Sequence, residues 1–258
     1  MNVLDLFSGI GGFSLGLERA GMRTVAFCEI EPYCRAVLRK HWANVPIYDD
    51  IRSLTKDNLT QHGIGSVDVV CGGFPCQDIS VAGDGAGIDG ERSGLWKEYA
   101  RIIGSLRPHY VIVENVAALL VRGLGKLLAD LASVGYDSEW HCIPAAAVKA
   151  PHNRDRIWVV AYPRHSRLRE RGKRGDVGEE MQNLGRIQRH GLPLRDEEKT
   201  PVLDEATFRT IREWAIEPCV DRVANGIPRR VDRLRGLGNA IVPQIAEIIG
   251  KAIMRDAR

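Results

Sequence analysis

Val3-Leu4-Asp5-Leu6-Phe7-Ser8-Gly9-Ile10-Gly11-Gly12-Phe13 carries the chain from a strand into a helix. Residues 3–7 read as a buried strand, and residues 13–20 have helical spacing that stops at Gly21, a suitable helix C-cap. Glycines between them let backbone approach a ligand, and the helix start offers N–H donors and positive potential. Alone, such a turn also fits plain tight packing of strand on helix. Alternation continues beyond it. Thr24-Val25-Ala26-Phe27-Cys28 is a second strand, and residues 32–42 form a helix whose Pro32 suits a first turn. Pro46-Ile47-Tyr48 is a third, short strand; residues 67–71, 110–113 and 157–161 are further strands; residues 119–134 are helical. The pattern predicts an α/β fold, a doubly wound, mostly parallel sheet with helices on both faces.

With 258 residues, 44% hydrophobic and 27% charged, the chain suits one large domain, or one domain and a small one. No apolar run reaches membrane-spanning length, and the start lacks the basic-then-apolar pattern of a signal peptide. The expectation is therefore a cytoplasmic protein with no membrane partner. A net charge of +3 does not by itself identify a nucleic-acid partner. The 6 cysteines show neither C-x-x-C pairing nor zinc-finger spacing, so free thiols and no metal are expected. Cys28, Cys71 and Cys142 lie in apolar stretches that suggest core positions.

Two carboxylates strengthen the ligand reading of the glycine turn. Glu29 ends the second strand, where an acid about 20 residues beyond a glycine turn binds ribose hydroxyls. Asp50 follows the third strand, placed to accept an adenine amino group. The spacing is neither G-x-G-x-x-G nor G-x-x-x-x-G-K-[ST], which disfavours a dinucleotide and a nucleoside triphosphate. An adenosyl ligand without a pyrophosphate fits better.

Gly72-Gly73-Phe74-Pro75-Cys76-Gln77 is the second telling stretch. It follows the apolar run 67–71, and its glycines and proline favour a sharp, stiff turn at the sheet's carboxyl edge. A thiol held there suits nucleophilic chemistry, whereas a lone cysteine is more often a core residue.

Together these pieces resemble the cytosine-C5 DNA methyltransferases, of bacterial or phage type. Residues 5–12 are similar to the family's first cofactor motif, Gly73-Phe74-Pro75-Cys76-Gln77 to its nucleophile motif, and Glu114-Asn115-Val116 to its Glu-Asn-Val. Arg154-Asp155-Arg156 is similar to its Arg-x-Arg, and Gly238-Asn239-Ala240-Ile241-Val242-Pro243 to its closing motif. The resemblance covers residues 1 to about 162 and about 228 to 258. It implies a Rossmann-like fold and S-adenosyl-L-methionine as cofactor. Phe7 would stack on adenine, Glu29 and Ile30 would meet the ribose, and Asp50 with Ile51 would hold the adenine. Ser8, Gly9, Gly11 and Gly12 would approach the methionine portion, and Asn239 and Val242 would close the pocket. The implied catalytic residues are Cys76, Glu114, Arg154 and Arg156. The implied substrate is duplex DNA, acted on by a monomer, with a cognate restriction endonuclease as a further partner.

The target base must leave the helix stack before a thiol reaches it. Residues 78–94, rich in glycine, suit a loop closing over DNA, with Gln77, Ser80 and Arg92 as DNA contacts. Surface disorder is the plainer reading of that loop. Residues 163–227 occupy the place of the family's target-recognition region, between a catalytic domain (1–162) and a C-terminal segment (228–258) whose helix, 241–254, packs back on the first domain. From 164 to 199 charge is dense and apolar periodicity slight, which also fits a solvated insertion. Arg164, Arg167 and Arg169 are candidates for phosphate contacts. The chain departs from the family in carrying Pro151-His152 where Pro-Gln is usual. An RNA cytosine-C5 methyltransferase and a non-catalytic DNA-binding relative are the alternatives. The first lacks support from a Cys-Phe-Thr tripeptide, and the second is opposed by the presence of Cys76, Glu114, Arg154 and Arg156 together.

Overall fold

Side chains along the central strands alternate between two apolar layers, as a strand buried on both faces requires. The computed structural model describes residues 1–75, 95–150, 154–164, 176–186, 232 and 236–257. Its strands are β1 (Asn2–Leu6), β2 (Arg23–Cys28), β3 (Ile47–Tyr48), β4 (Val69–Gly72), β5 (Tyr110–Val116), β6 (Tyr136–Pro144) and β7 (Asp155–Pro163). They form a 7-stranded sheet in the order β3-β2-β1-β4-β5-β7-β6. β3, β2, β1, β4 and β5 run parallel, while β7 is antiparallel to both β5 and β6. The expected doubly wound, mostly parallel sheet is present.

Leu4, Leu6, Val70, Val111, Val113, Ile157 and Val159 face one layer. That layer holds α4 (Leu95–Leu106) and α6 (Leu124–Ser133), through buried Trp96, Tyr99, Ile102 and Leu127. Val3, Val69, Cys71, Ile112, Trp158 and Val160 face the other. There α1 (Gly12–Arg19), α7 (Asp176–Arg186) and α8 (Pro243–Asp256) pack. The helix expected over 119–134 is broken at Gly123, where α5 (Leu119–Arg122) ends and α6 begins. Two further helices, α2 (Pro32–His41) and α3 (Lys56–Gln61), flank β2 and β3 in sequence, and Thr55 caps α3 with a reciprocal Asn58 bond.

The sequence reading left α3, α4, β6 and α7 unassigned, and two of these have a clear physical reason. β6 is the sheet's edge strand, and its many polar and half-exposed positions hide the strand pattern. α7 lies inside the stretch expected to show little periodicity. Val177, Met181 and Leu184 form its buried stripe against β6 and α8. Among the described residues no helix is long and apolar enough to cross a membrane.

Candidate active site

Strand order reverses between β1 and β4, and in open α/β sheets a crevice forms outside the carboxyl ends at such a point. Leu6 at the end of β1 pairs with Gly72 at the end of β4, which pairs with Val113 one residue before Glu114. The glycine turn after β1 and residues 73–75 after β4 therefore leave the sheet side by side, with Glu114 of β5 next to them.

The first turn is built from unusual backbone. Phe7 has φ 52°, Gly9 φ 55° and Gly11 φ 89°, so left-handed conformations reverse the chain within a few residues. Gly11, in the left-handed region, is the N-cap of α1 and makes no side-chain cap bond. Behind the turn lies a scaffold around Asp5. Ser8 Oγ donates to the Asp5 carbonyl (2.6 Å), and Ser14 donates to Asp5 Oδ2 from Oγ (2.7 Å) and from its backbone N–H (3.3 Å). Asp5 is fully buried; its Oδ1 has no hydrogen-bond partner among the described residues, and the Cys71 thiol beside it is a weak donor at best. Burial pushes the Asp5 carboxyl up to about 8, against the opposing pull of Ser14. Buried Cys71 and Cys28 have thiols raised for the same reason, so neither suits nucleophilic attack.

Glu29, 7% exposed, accepts the Gly9 N–H and the Glu31 N–H, each at 2.7 Å. This clamp joins the end of β2 to the left-handed Gly9. A side chain at Gly9 would meet nothing within 4 Å, so the turn has an open face. Burial raises the Glu29 pKa, partly offset by those two N–H groups. Next to it Ile30 is 62% exposed, a large apolar side chain left uncovered beside a buried acid. Phe7 is half-buried, tilted against Tyr99 with ring centroids 6.2 Å apart. Asp50 Oδ1 accepts the Arg52 N–H (2.9 Å), and Ile51 is buried in the core beneath. A half-buried carboxylate, an apolar wall, a buried acid and an open glycine turn fit an adenosyl group well.

The second turn is described as far as Pro75. Asn115 Nδ2 donates to the Phe74 carbonyl (3.1 Å), so β5 fixes the turn that leads into Cys76. The sequence motif contained Asn115, but no role followed from it; an amide beside a candidate catalytic acid was the available signal. Phe74 is buried against Trp96. Glu114, 7% exposed, forms an ion pair with Arg156 Nε at 3.0 Å across the β5–β7 diagonal. Burial raises its pKa, and the charges of Arg156 and Arg154 oppose that rise. Arg154 Nη1 donates to the Gly238 carbonyl (2.5 Å). Asn239 is exposed, and half-buried Val242 precedes α8. Arg164 is drawn into an ion pair with Asp137 (3.4 Å) and donates to the Ala132 carbonyl. Cys76, Gln77, Ser80, Arg92, Arg167, Arg169, His152 and the loop 78–94 lie outside the described residues. Among the described residues no cluster of His, Cys, Asp or Glu suits a metal ion.

A family model, C-5 cytosine-specific DNA methylase, matches residues 1–206. The chain is 40% identical over 169 residues to the Type II methyltransferase M2.BsuMI of Bacillus subtilis (strain 168), a match covering 62% of this chain and 42% of that protein. It is 37% identical over 168 residues to the Type II methyltransferase M1.HphI of Haemophilus parahaemolyticus, covering 62% and 45% respectively. These matches span less than half the length of each relative. In fold, the chain resembles a structure described as a prophage-encoded DNA modification methyltransferase from E. coli (TM-score 0.67, 18% identity, 100% of this chain and 99% of that one). It also resembles the S. pombe Dnmt2 methyltransferase (TM-score 0.63, 17% identity, 99% of each chain). With the motifs on adjacent strand ends and the family model spanning most of its length, the chain belongs to the C-5 cytosine-specific DNA methylase family.

Proposed function

We propose that this chain transfers a methyl group from S-adenosyl-L-methionine to carbon 5 of cytosine in duplex DNA. The observation that carries the reading is the row on three adjacent strands: the Glu29-clamped glycine turn, the residues leading into Cys76, and the buried Glu114–Arg156 pair. Bound at the first turn, the cofactor supplies an electrophilic methyl on a sulfonium. Glu29 orients the ribose, Phe7 and Ile30 cover the adenine and its sugar, and Asp50 with Ile51 reads the adenine edge.

Carbon 5 of cytosine is a poor nucleophile. Addition of the Cys76 thiolate at carbon 6 makes the ring enamine-like, so carbon 5 can take the methyl. Glu114 serves ring nitrogen 3 and the exocyclic amine. Burial raises its pKa, and Arg156 holds the carboxyl in place. Loss of the carbon-5 proton then lets the Cys76 sulfur leave with its electron pair, restoring the ring. The base must be flipped out, at a cost of roughly a few kcal/mol. Residues 163–227 are assigned to target reading, and a cognate endonuclease is the natural companion of a chain whose relatives are named Type II methyltransferases.

The test uses duplex DNA containing 5-fluorocytosine and labelled S-adenosyl-L-methionine. A covalent protein–DNA adduct is expected for the wild type and none for Cys76→Ser. An adduct on RNA alone would overturn the substrate, and no adduct on either would overturn the reaction.

A further inference from the structure

The two arginines of Arg154-Asp155-Arg156 both place positive charge near Glu114 but differ in the bonds they make. Arg156 pairs with a carboxylate, Glu114. The Arg154 bond goes to a backbone carbonyl, Gly238, 84 positions away. That carbonyl opens a segment lying across the switch point. A Cβ on Gly236 would meet the Tyr33 ring at 3.3 Å and Ile10 at 3.5 Å, so the segment starts beside the glycine turn. A Cβ on Gly12 would stand 2.8 Å from the Ile241 carbonyl oxygen and 3.0 Å from its Cβ. Ile241 Cδ1 reaches the other way, to 3.6 Å from a Cβ on Gly73, whose Cβ would also stand 2.9 Å from Glu114 Oε2. Ile241 thus sits between the first residue of α1 and the turn leading to Cys76. Beyond Val242 the segment is anchored by α8, buried through Ile245, Ala246 and Ile249. Its other end, Gly238-Asn239, is exposed, and there the Arg154 bond holds it.

We propose that Arg154 is a positioning residue for the cofactor: its guanidinium latches residues 238–242 over the Gly12 end of the glycine turn. The latch rests on reading that turn as the S-adenosyl-L-methionine site. It gives Arg154 a task that Arg156 does not share, which their spacing alone does not distinguish. A segment held in its binding conformation needs no ordering when the ligand arrives. An unlatched one lowers apparent affinity by the fraction of time it is correctly placed.

Calorimetric titration of S-adenosylhomocysteine into the full chain, without nucleic acid, tests this, alongside amide hydrogen exchange over residues 236–242. Arg154→Ala should raise Kd by about tenfold, in line with loss of one charged hydrogen bond. It should also speed exchange at 238–242 and show a rate loss that saturating cofactor restores. Arg156→Ala should leave Kd and exchange near wild type and depress the rate at any cofactor concentration. Arg154→Lys keeps the charge but loses the forked donors; it should fall between wild type and Ala, and it serves if the Ala variant does not fold. Unchanged Kd and exchange in the Arg154 variants, with a rate that saturation does not restore, would overturn the latch alone. A wild-type chain that binds no cofactor analogue would overturn the cofactor site and the latch with it.

Discussion

Among the described residues no cation acts on the buried Asp5 carboxyl and Ser14 bonds only its Oδ2, so it is stable as the neutral acid. Its pKa, pushed up to about 8, means the folded chain holds a proton that the unfolded chain releases near the ordinary value of 3.8. Stability from this group is therefore full below about 4 and is lost progressively as pH rises to about 8, beyond which the loss stops growing. Asp5→Asn mimics the neutral acid and cannot ionise. Melting curves from pH 5 to 9 should show a smaller downward trend for the Asn variant than for wild type; an identical trend would mean that Asp5 folds ionised. Glu114 belongs to the same scale but to function. Glu114→Gln keeps the shape and loses the titrating proton, so methyl transfer should fall by about 10²-fold or more while cofactor binding persists. Radiolabel incorporation beside a binding titration separates the two. Both acids stood in quoted motifs, yet sequence could not show that they are buried, because burial depends on strands brought in from elsewhere.

At the scale of elements, α7 shows how a charged stretch can hide a core helix. Its buried stripe consists of Val177, Met181 and Leu184, set among Glu, Gln and Asn. The surrounding arginines and acids outweigh three apolar residues in any window, which is why the periodicity was not legible. Once formed, the helix closes one side of the sheet against β6 and α8, and Arg255 reaches Glu180 at 3.3 Å. Met181 is fully buried, so Met181→Ala should cost about 2 kcal/mol or more, read as a lower midpoint in urea unfolding. An unchanged midpoint would mean that α7 does not dock. The edge strand β6 escaped for a related reason: with one neighbour and Trp140 42% exposed, it lacks the apolar alternation that marks β1, β4 and β5.

For the whole molecule, the C-terminal segment completes a site begun by the first residues. α8 packs on α1, burying Phe13 and Leu17, and residues 238–242 cross the switch point. Deleting residues 236–258 should expose that apolar layer and remove the latch. The expected result is self-association on size-exclusion chromatography and loss of cofactor binding; a monomer that still binds the cofactor would show the segment to be dispensable. The strand–turn–helix order, the glycine turn and the acids just beyond β2 and β3 could all be read from the chain alone. Each is a local pattern, set by period-two burial and by what glycine and proline permit. Only the tertiary structure shows that Arg154 holds Gly238, that Asn115 ties down Phe74, that Asp5 Oδ1 has no hydrogen-bond partner among the described residues, and that β7 runs antiparallel beside Glu114. Those facts depend on contacts between residues far apart in sequence, and no local spacing encodes which distant partner a side chain meets.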